Sequence, residues 1–119
     1  MVLVPRDFLE LANQLYDDKH YRTEPGWRTV ISRAYYASFL ASMKKMQEMG
    51  ASFQEADRIH RDVIEKLKDK NPQAANHLDT LREKRVESDY HLRANIRWGD
   101  CMNWLKLAER ILIEVAELK

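Results

Sequence analysis

The sequence predicts an all-α protein, an antiparallel bundle of four to five helices joined by short loops. Three observations carry that reading. Apolar residues recur at three- and four-residue spacing through most of the chain. No segment alternates apolar and polar residues for long, so no sheet is expected. Only three glycines and three prolines punctuate 119 residues, which leaves long stretches without a helix breaker. The length suits one domain, residues 1–119, with a core that needs neither metal nor disulfide.

The elements follow in order. A first helix starts at Pro5, whose missing N–H costs nothing in a first turn. Phe8, Leu11, Ala12 and Leu15 form its apolar stripe, and the pattern fades near Asp17–His20. A second helix begins around Thr23–Pro25, with Thr23 as cap, and runs to Met49, where Gly50 ends it. Trp27, Ile31, Ala34, Ser38 and Ala41 make one stripe, while Tyr35, Tyr36, Phe39, Leu40 and Met43 spread bulk around the other sides. A long helix with apolar groups on several sides belongs at the centre, and its small residues let neighbours approach.

A third helix carries a capping-box signature, Ser52 with Glu55, followed by Ala56, Ile59, Val63, Ile64 and Leu67. The "KNP" at 70–72 stops it, and Pro72 opens a fourth helix with Ala75, Leu78 and Leu81. Gly99 and Asp100 mark the next break, with Asp100 as the expected cap. The fifth helix holds Trp104, Leu105, Ala108, Ile111, Leu112 and Val115.

Composition narrows the function classes. Apolar content of 45% and charged content of 33% indicate a globular chain. The formal net charge of +1 gives no global attraction to nucleic acid, so such a partner needs a local patch. No apolar run approaches the length of a membrane span. Met1–Val4 is followed at once by Pro5, Arg6 and Asp7, which does not match a signal peptide, and Cys101 is the lone cysteine. A reducing, cytoplasmic location is the expectation.

Most chemistry-bearing residues have a bland reading that outweighs the sharp one. His20, His60, His77 and His91 include no pair at metal-ligating spacing, so no metal or other cofactor is expected. His60 lies on the apolar stripe of the third helix and reads as a core histidine with a satisfied hydrogen bond. Cys101 reads as a buried structural thiol. The glycines are isolated, so no phosphate loop is present.

The stretch 81–98 stands apart. Arg82, Lys84, Arg85, Arg93 and Arg97 face three acids, Glu83, Glu87 and Asp89, a local excess of +2. A solvated helix face with an Arg85–Asp89 pair at i,i+4 explains the pattern without any function.

Two motifs change the weight of that stretch. "ISRAYYASFLASMKKM" begins at Ile31 with "RAYYA" at Arg33–Ala37, and a later "R…DY" is formed by Arg85, Asp89 and Tyr90. Together they resemble the HEPN superfamily, small helical proteins often encoded beside minimal nucleotidyltransferases. The lead-in "YDDKHYRTEPGWRTV" and the position of His60 fit the same pattern, so the resemblance spans nearly the whole chain. It implies a HEPN-like bundle and a homodimer, with a nucleotidyltransferase or an antitoxin as further partner and RNA or a nucleotide as ligand. Many members are metal-independent ribonucleases of toxin–antitoxin pairs, built on an arginine and a histidine four to six residues later. Arg85 and His91 meet that spacing and are the expected catalytic pair. Arg82, Asp89, Tyr90 and Arg93 are the expected substrate-binding residues.

Such a pair has suitable chemistry. An imidazole titrating near pH 6.5 can take a 2′-OH proton, and a guanidinium can stabilise phosphorane charge. Within one straight helix, however, six positions separate the side chains by about 120° and about 9 Å. Convergence therefore needs a break near Tyr90 or a second chain across a twofold. Two functions stay open at this point: a ribonuclease toxin, and a non-catalytic nucleotide-binding or accessory module. A plain helical interaction protein ranks below both.

Overall fold

Five helices make up the computed structural model, which describes residues 3–54 and 56–119. They are α1 (Pro5–Asp17), α2 (Glu24–Glu48), α3 (Ile59–Lys70), α4 (Pro72–Tyr90) and α5 (Trp98–Ala116), with single 3₁₀ turns at Lys19–Tyr21 and Ala56–Arg58. Among the described residues there is no strand, and no helix is long and apolar enough to cross a membrane.

α1, α2 and α4 begin or end where the chain supplies partners for backbone groups that the helix itself cannot satisfy. Asp7 accepts from the Val4 N–H at 2.9 Å at the start of α1. Thr23 caps α2 as expected, its hydroxyl accepting from the Gly26 N–H at 3.3 Å. Gly50 then terminates α2 with a positive φ of 99°. The Ala51 and Gly50 N–H groups close back onto the Met46 and Gln47 carbonyls at 2.9 and 3.0 Å, a Schellman arrangement that only glycine enters without strain. Asn71, rather than Pro72 alone, starts α4: its side chain accepts from the Ala74 N–H at 3.1 Å.

α2 lies at the centre and packs against each of the other four helices. It is apolar on several sides because it has neighbours on several sides. Ile31, Ala34, Tyr35, Ala37 and Phe39 are buried along it. Ser38 and Ser42 are buried too, and each hydroxyl donates to the carbonyl four residues back, at 3.0 and 2.8 Å. The buried hydroxyls are thus satisfied while their small size admits the flanking helices. Leu9, Leu67, Leu78, Leu81, Ile96 and Ile111 complete the core, each side chain contributing about 1.5–3 kcal/mol by leaving water.

Three sequence expectations shift in register. The buried stripe of α1 is Leu9, Ala12 and Tyr16, with Phe8 and Leu15 at its margins; Leu11 is 42% exposed. The Tyr16 side turns inward because Trp98 stacks on it, ring centroids 4.9 Å apart. The third helix begins at Ile59, not at Ser52, and Ala56 sits in the exposed 3₁₀ turn before it. The Glu55 half of the expected capping box and the Met1–Val2 part of the leader reading lie outside the described residues.

The third shift has the most consequence. The break between the last two helices falls at 91–97, and Gly99 and Asp100 lie inside the first turn of α5. Asp100 therefore complements the helix dipole instead of capping. The cause is Arg28 on α2. Its guanidinium donates to the Glu87, Ser88 and His91 carbonyls at 3.3, 2.8 and 3.1 Å, and to those of Leu92 and Ala94 at 3.4 and 2.7 Å. Glu24 completes the site, accepting from the Arg28 Nη2 at 2.8 Å. A cation that satisfies this many carbonyls makes termination at Tyr90 favourable, and buried Ile96 pins the loop that follows.

Arg28→Lys should lower stability by about 2 kcal/mol, because an ammonium cannot span both carbonyl groups and leaves some buried without partners. Urea denaturation checks this. A lysine variant as stable as the parent would contradict the assignment of Arg28 as the terminator of α4.

Candidate functional site

Helical spacing on α2 assembles one wall of a small pocket. Ser32, Tyr35 and Tyr36 recur at three- and four-residue spacing and line it from one face of α2, with Phe39 a turn further on behind His60. α3 brings His60 against that face, and α4 brings Arg85 and Asp89. The resulting pocket, about 130 Å³, is lined by Ser32, Arg33, Tyr35, Tyr36, His60 and Arg85.

His60 is held rigidly. The Tyr35 hydroxyl lies 2.6 Å from His60 Nδ1, and the imidazole stacks on Phe39 with centroids 4.2 Å apart. Tyr35 itself is fully buried. Burial pushes its phenol well above the ordinary range, with Arg82 and Arg85 pulling the other way. The phenol stays protonated at any ordinary pH.

The same surroundings act on His60. Burial lowers its pKa first, and the positive charges of Arg82 and then Arg85 lower it further. The imidazole is therefore neutral at pH 7, with guanidinium groups nearby that disfavour a second positive charge.

A polar chain crosses the pocket mouth. The Arg33 Nη2 donates to the Ser32 hydroxyl at 3.4 Å, and that hydroxyl donates to Asp89 Oδ2 at 3.3 Å. The same carboxylate oxygen lies 2.8 Å from Arg85 Nε. Pairing through Nε leaves the Nη1–Nη2 edge of Arg85 for a ligand. The guanidinium is steadied by the Tyr35 and Tyr90 rings, 5.9 and 5.6 Å from their centroids, and Arg33 rests on Tyr36 at 5.0 Å. Two guanidinium groups with one carboxylate between them, beside a neutral imidazole, leave the pocket net positive. The arrangement can bind a compact oxyanion through charge-assisted hydrogen bonds.

The expected site residues divide into two groups. Arg85 lines the pocket and forms the i,i+4 pair with Asp89, and Arg82 stands close enough to influence Tyr35 and His60. Tyr90 is 65% exposed but its ring flanks Arg85. His91 and Arg93 are elsewhere, both exposed. His91 is the C-terminal cap residue of α4, its backbone N–H donating to the Glu87 carbonyl at 3.0 Å and its carbonyl held by Arg28. It is not among the residues that line the pocket with Arg85.

Arg33, Tyr35 and His60 are functional candidates that the spacing of the 81–98 stretch does not reveal. The shared face of Ser32, Tyr35 and Tyr36 is readable in the sequence; its apposition to His60 depends on tertiary packing. Among the described residues no three His, Cys, Asp or Glu side chains gather as a metal-binding group. Cys101 is buried and donates to the Trp27 and Arg97 carbonyls, and burial pushes its thiol up to about 11, which leaves it unreactive. No protein-family model matches the chain, and no curated protein matches it.

His60 should titrate below 6.5 by NMR. Arg82→Gln and Arg85→Gln should each raise that value, without restoring it fully because burial remains. A His60 pKa at or above 6.5 in the parent protein would contradict the electrostatic picture.

Proposed function

We propose that this chain is a HEPN-like helical module that binds a phosphate group, and through it a nucleotide, in the Arg33–Tyr35–His60–Arg85 pocket. One observation carries the reading: two guanidinium groups and a neutral imidazole converge on a cavity of about 130 Å³, the scale of a single phosphate rather than of a whole small molecule. Arginine suits this role because its planar fork matches two phosphate oxygens. His60 adds a ring N–H or a titratable site at the same position. The "RAYYA" and "R…DY" motifs, whose resemblance to HEPN proteins led to Arg85, contribute Arg33, Tyr35, Tyr36, Arg85 and Asp89 to this one region. The module acts as an accessory to an enzyme that handles nucleotides, a nucleotidyltransferase in the simplest case.

A ribonuclease acting across a homodimer is the second reading. It draws on the exposed run Tyr90, His91 and Leu92, where Leu92 is 84% exposed, at the end of α4. A twofold contact there would bring the partner's end of α4 toward Arg85. The first reading is preferred because it needs only groups already assembled within one subunit.

Isothermal titration with nucleoside monophosphates and inorganic phosphate separates the two. Arg85→Gln should weaken binding about tenfold or more, by loss of charge-assisted hydrogen bonds. His91→Ala should leave binding unchanged, and single-stranded RNA should stay intact. Cleavage by the parent protein, lost in folded Arg85→Gln and His91→Ala variants alike, would overturn this reading in favour of the nuclease.

A further inference from the structure

The phosphate pocket is too small for a nucleotide. Small-molecule sites run from about 300 Å³ upward, and this one is about 130 Å³. The sugar and base of a bound nucleotide must lie outside it. A second groove, about 330 Å³, runs between α3 and α4 and has Arg61, Ile64, Ala75, Asn76, Asp79 and Arg82 on its walls.

Groove and pocket are neighbours. Arg82, on the groove wall, lowers the pKa of His60, and Asp79, on the same wall, raises that of Tyr35. Both charges are thus within Coulombic reach of the phosphate pocket. Asp79, Arg82 and Arg85 follow one another at three-residue steps on α4, each about 4.5 Å further along the axis. His60 and Arg61 adjoin on α3. Asp79 and Arg85, six positions apart on α4, stand about 9 Å and about 120° from each other, so a nucleotide whose phosphate Arg85 holds meets Asp79 only by passing from the pocket over Arg82 into the groove.

The walls suit a base. Ile64 and Pro72 give apolar surface, while Asn76 and Asp79 supply hydrogen-bonding groups. Asp79 is half-buried, and among the described residues it has no ion-pair partner. An ionised carboxylate only accepts hydrogen bonds, and it accepts two at once from adjacent donors. Guanine presents N1–H and the N2 amino group side by side. Adenine, cytosine and uracil offer no such pair on one edge.

We infer that the α3–α4 groove is a nucleobase subsite that selects guanine through the Asp79 carboxylate. The inference rests on the phosphate-binding reading, because the phosphate fixes which part of the ligand reaches Asp79.

Calorimetric titration of the full chain with GMP, AMP, CMP, UMP, IMP and inorganic phosphate tests it. GMP should bind about tenfold tighter than AMP, CMP or UMP, and IMP, which lacks the N2 amine, should be weaker than GMP. Asp79→Asn should level these differences, while inorganic phosphate should bind at least as tightly as to the parent, because a nearby negative charge is removed. Equal binding of GMP, IMP and the other monophosphates by the parent protein would overturn the guanine subsite and leave the phosphate pocket standing. Absence of binding by phosphate and by every nucleotide would overturn both.

Discussion

Arg28 fixes where α4 stops, and the geometry of the pocket depends on that point. The guanidinium gathers five carbonyls, of Glu87, Ser88, His91, Leu92 and Ala94, while Glu24 holds it from its own helix. Its side chain is only 12% exposed, and the bonds to Glu87, Ser88 and Ala94 are partly shielded from water, a setting in which an unpaired cation or carbonyl would be costly. One residue ties the central helix to the last turn of α4, the turn that carries Ser88 and Asp89. With that turn anchored, the carboxylate of Asp89 meets Ser32 on α2 and Arg85 one turn back. The terminator and the pocket therefore share one packing contact, between α2 and α4.

A second constraint is electrostatic. Three elements meet around Tyr35, and burial would neutralise any ionisable group placed there without a partner. Tyr35 and His60 resolve this by staying neutral and joining to each other. Arg85 resolves it by pairing with Asp89 and by lying between two aromatic rings. What remains is an excess of positive charge, from Arg33, Arg82 and Arg85, with Asp89 as the carboxylate of the polar chain. An incoming anion would restore balance without moving a helix. The neighbouring groove carries charges of both signs, Arg61, Lys68 and Arg82 with Glu65 and Asp79, and so differs in kind from the pocket.

The helices were legible in the sequence because their signals are local. Pro5, Thr23, Gly50 and Asn71–Pro72 mark boundaries through cap chemistry that depends on a few adjacent residues. Apolar patterning on α2 gave its central position for the same reason. The boundary at 91–97 was not legible, since it is set by Arg28 more than sixty residues earlier, and Gly99 offered a misleading local cue. At the site, the Arg85–Asp89 pair follows from helical spacing alone. The link from Arg85 to Ser32 and His60 joins three helices, and no linear spacing encodes it. His91 shows the converse: a sequence spacing that suits a catalytic pair, in a residue that the end of the helix turns to solvent.

The central claim is that a phosphate enters the cavity beside His60. The most direct measurement is the pH titration of the His60 imidazole by NMR, with and without saturating inorganic phosphate. Because the anion offsets Arg82 and Arg85 and favours the imidazolium, phosphate should raise the pKa of His60. A His60 pKa that phosphate leaves unchanged or lowers would contradict the account.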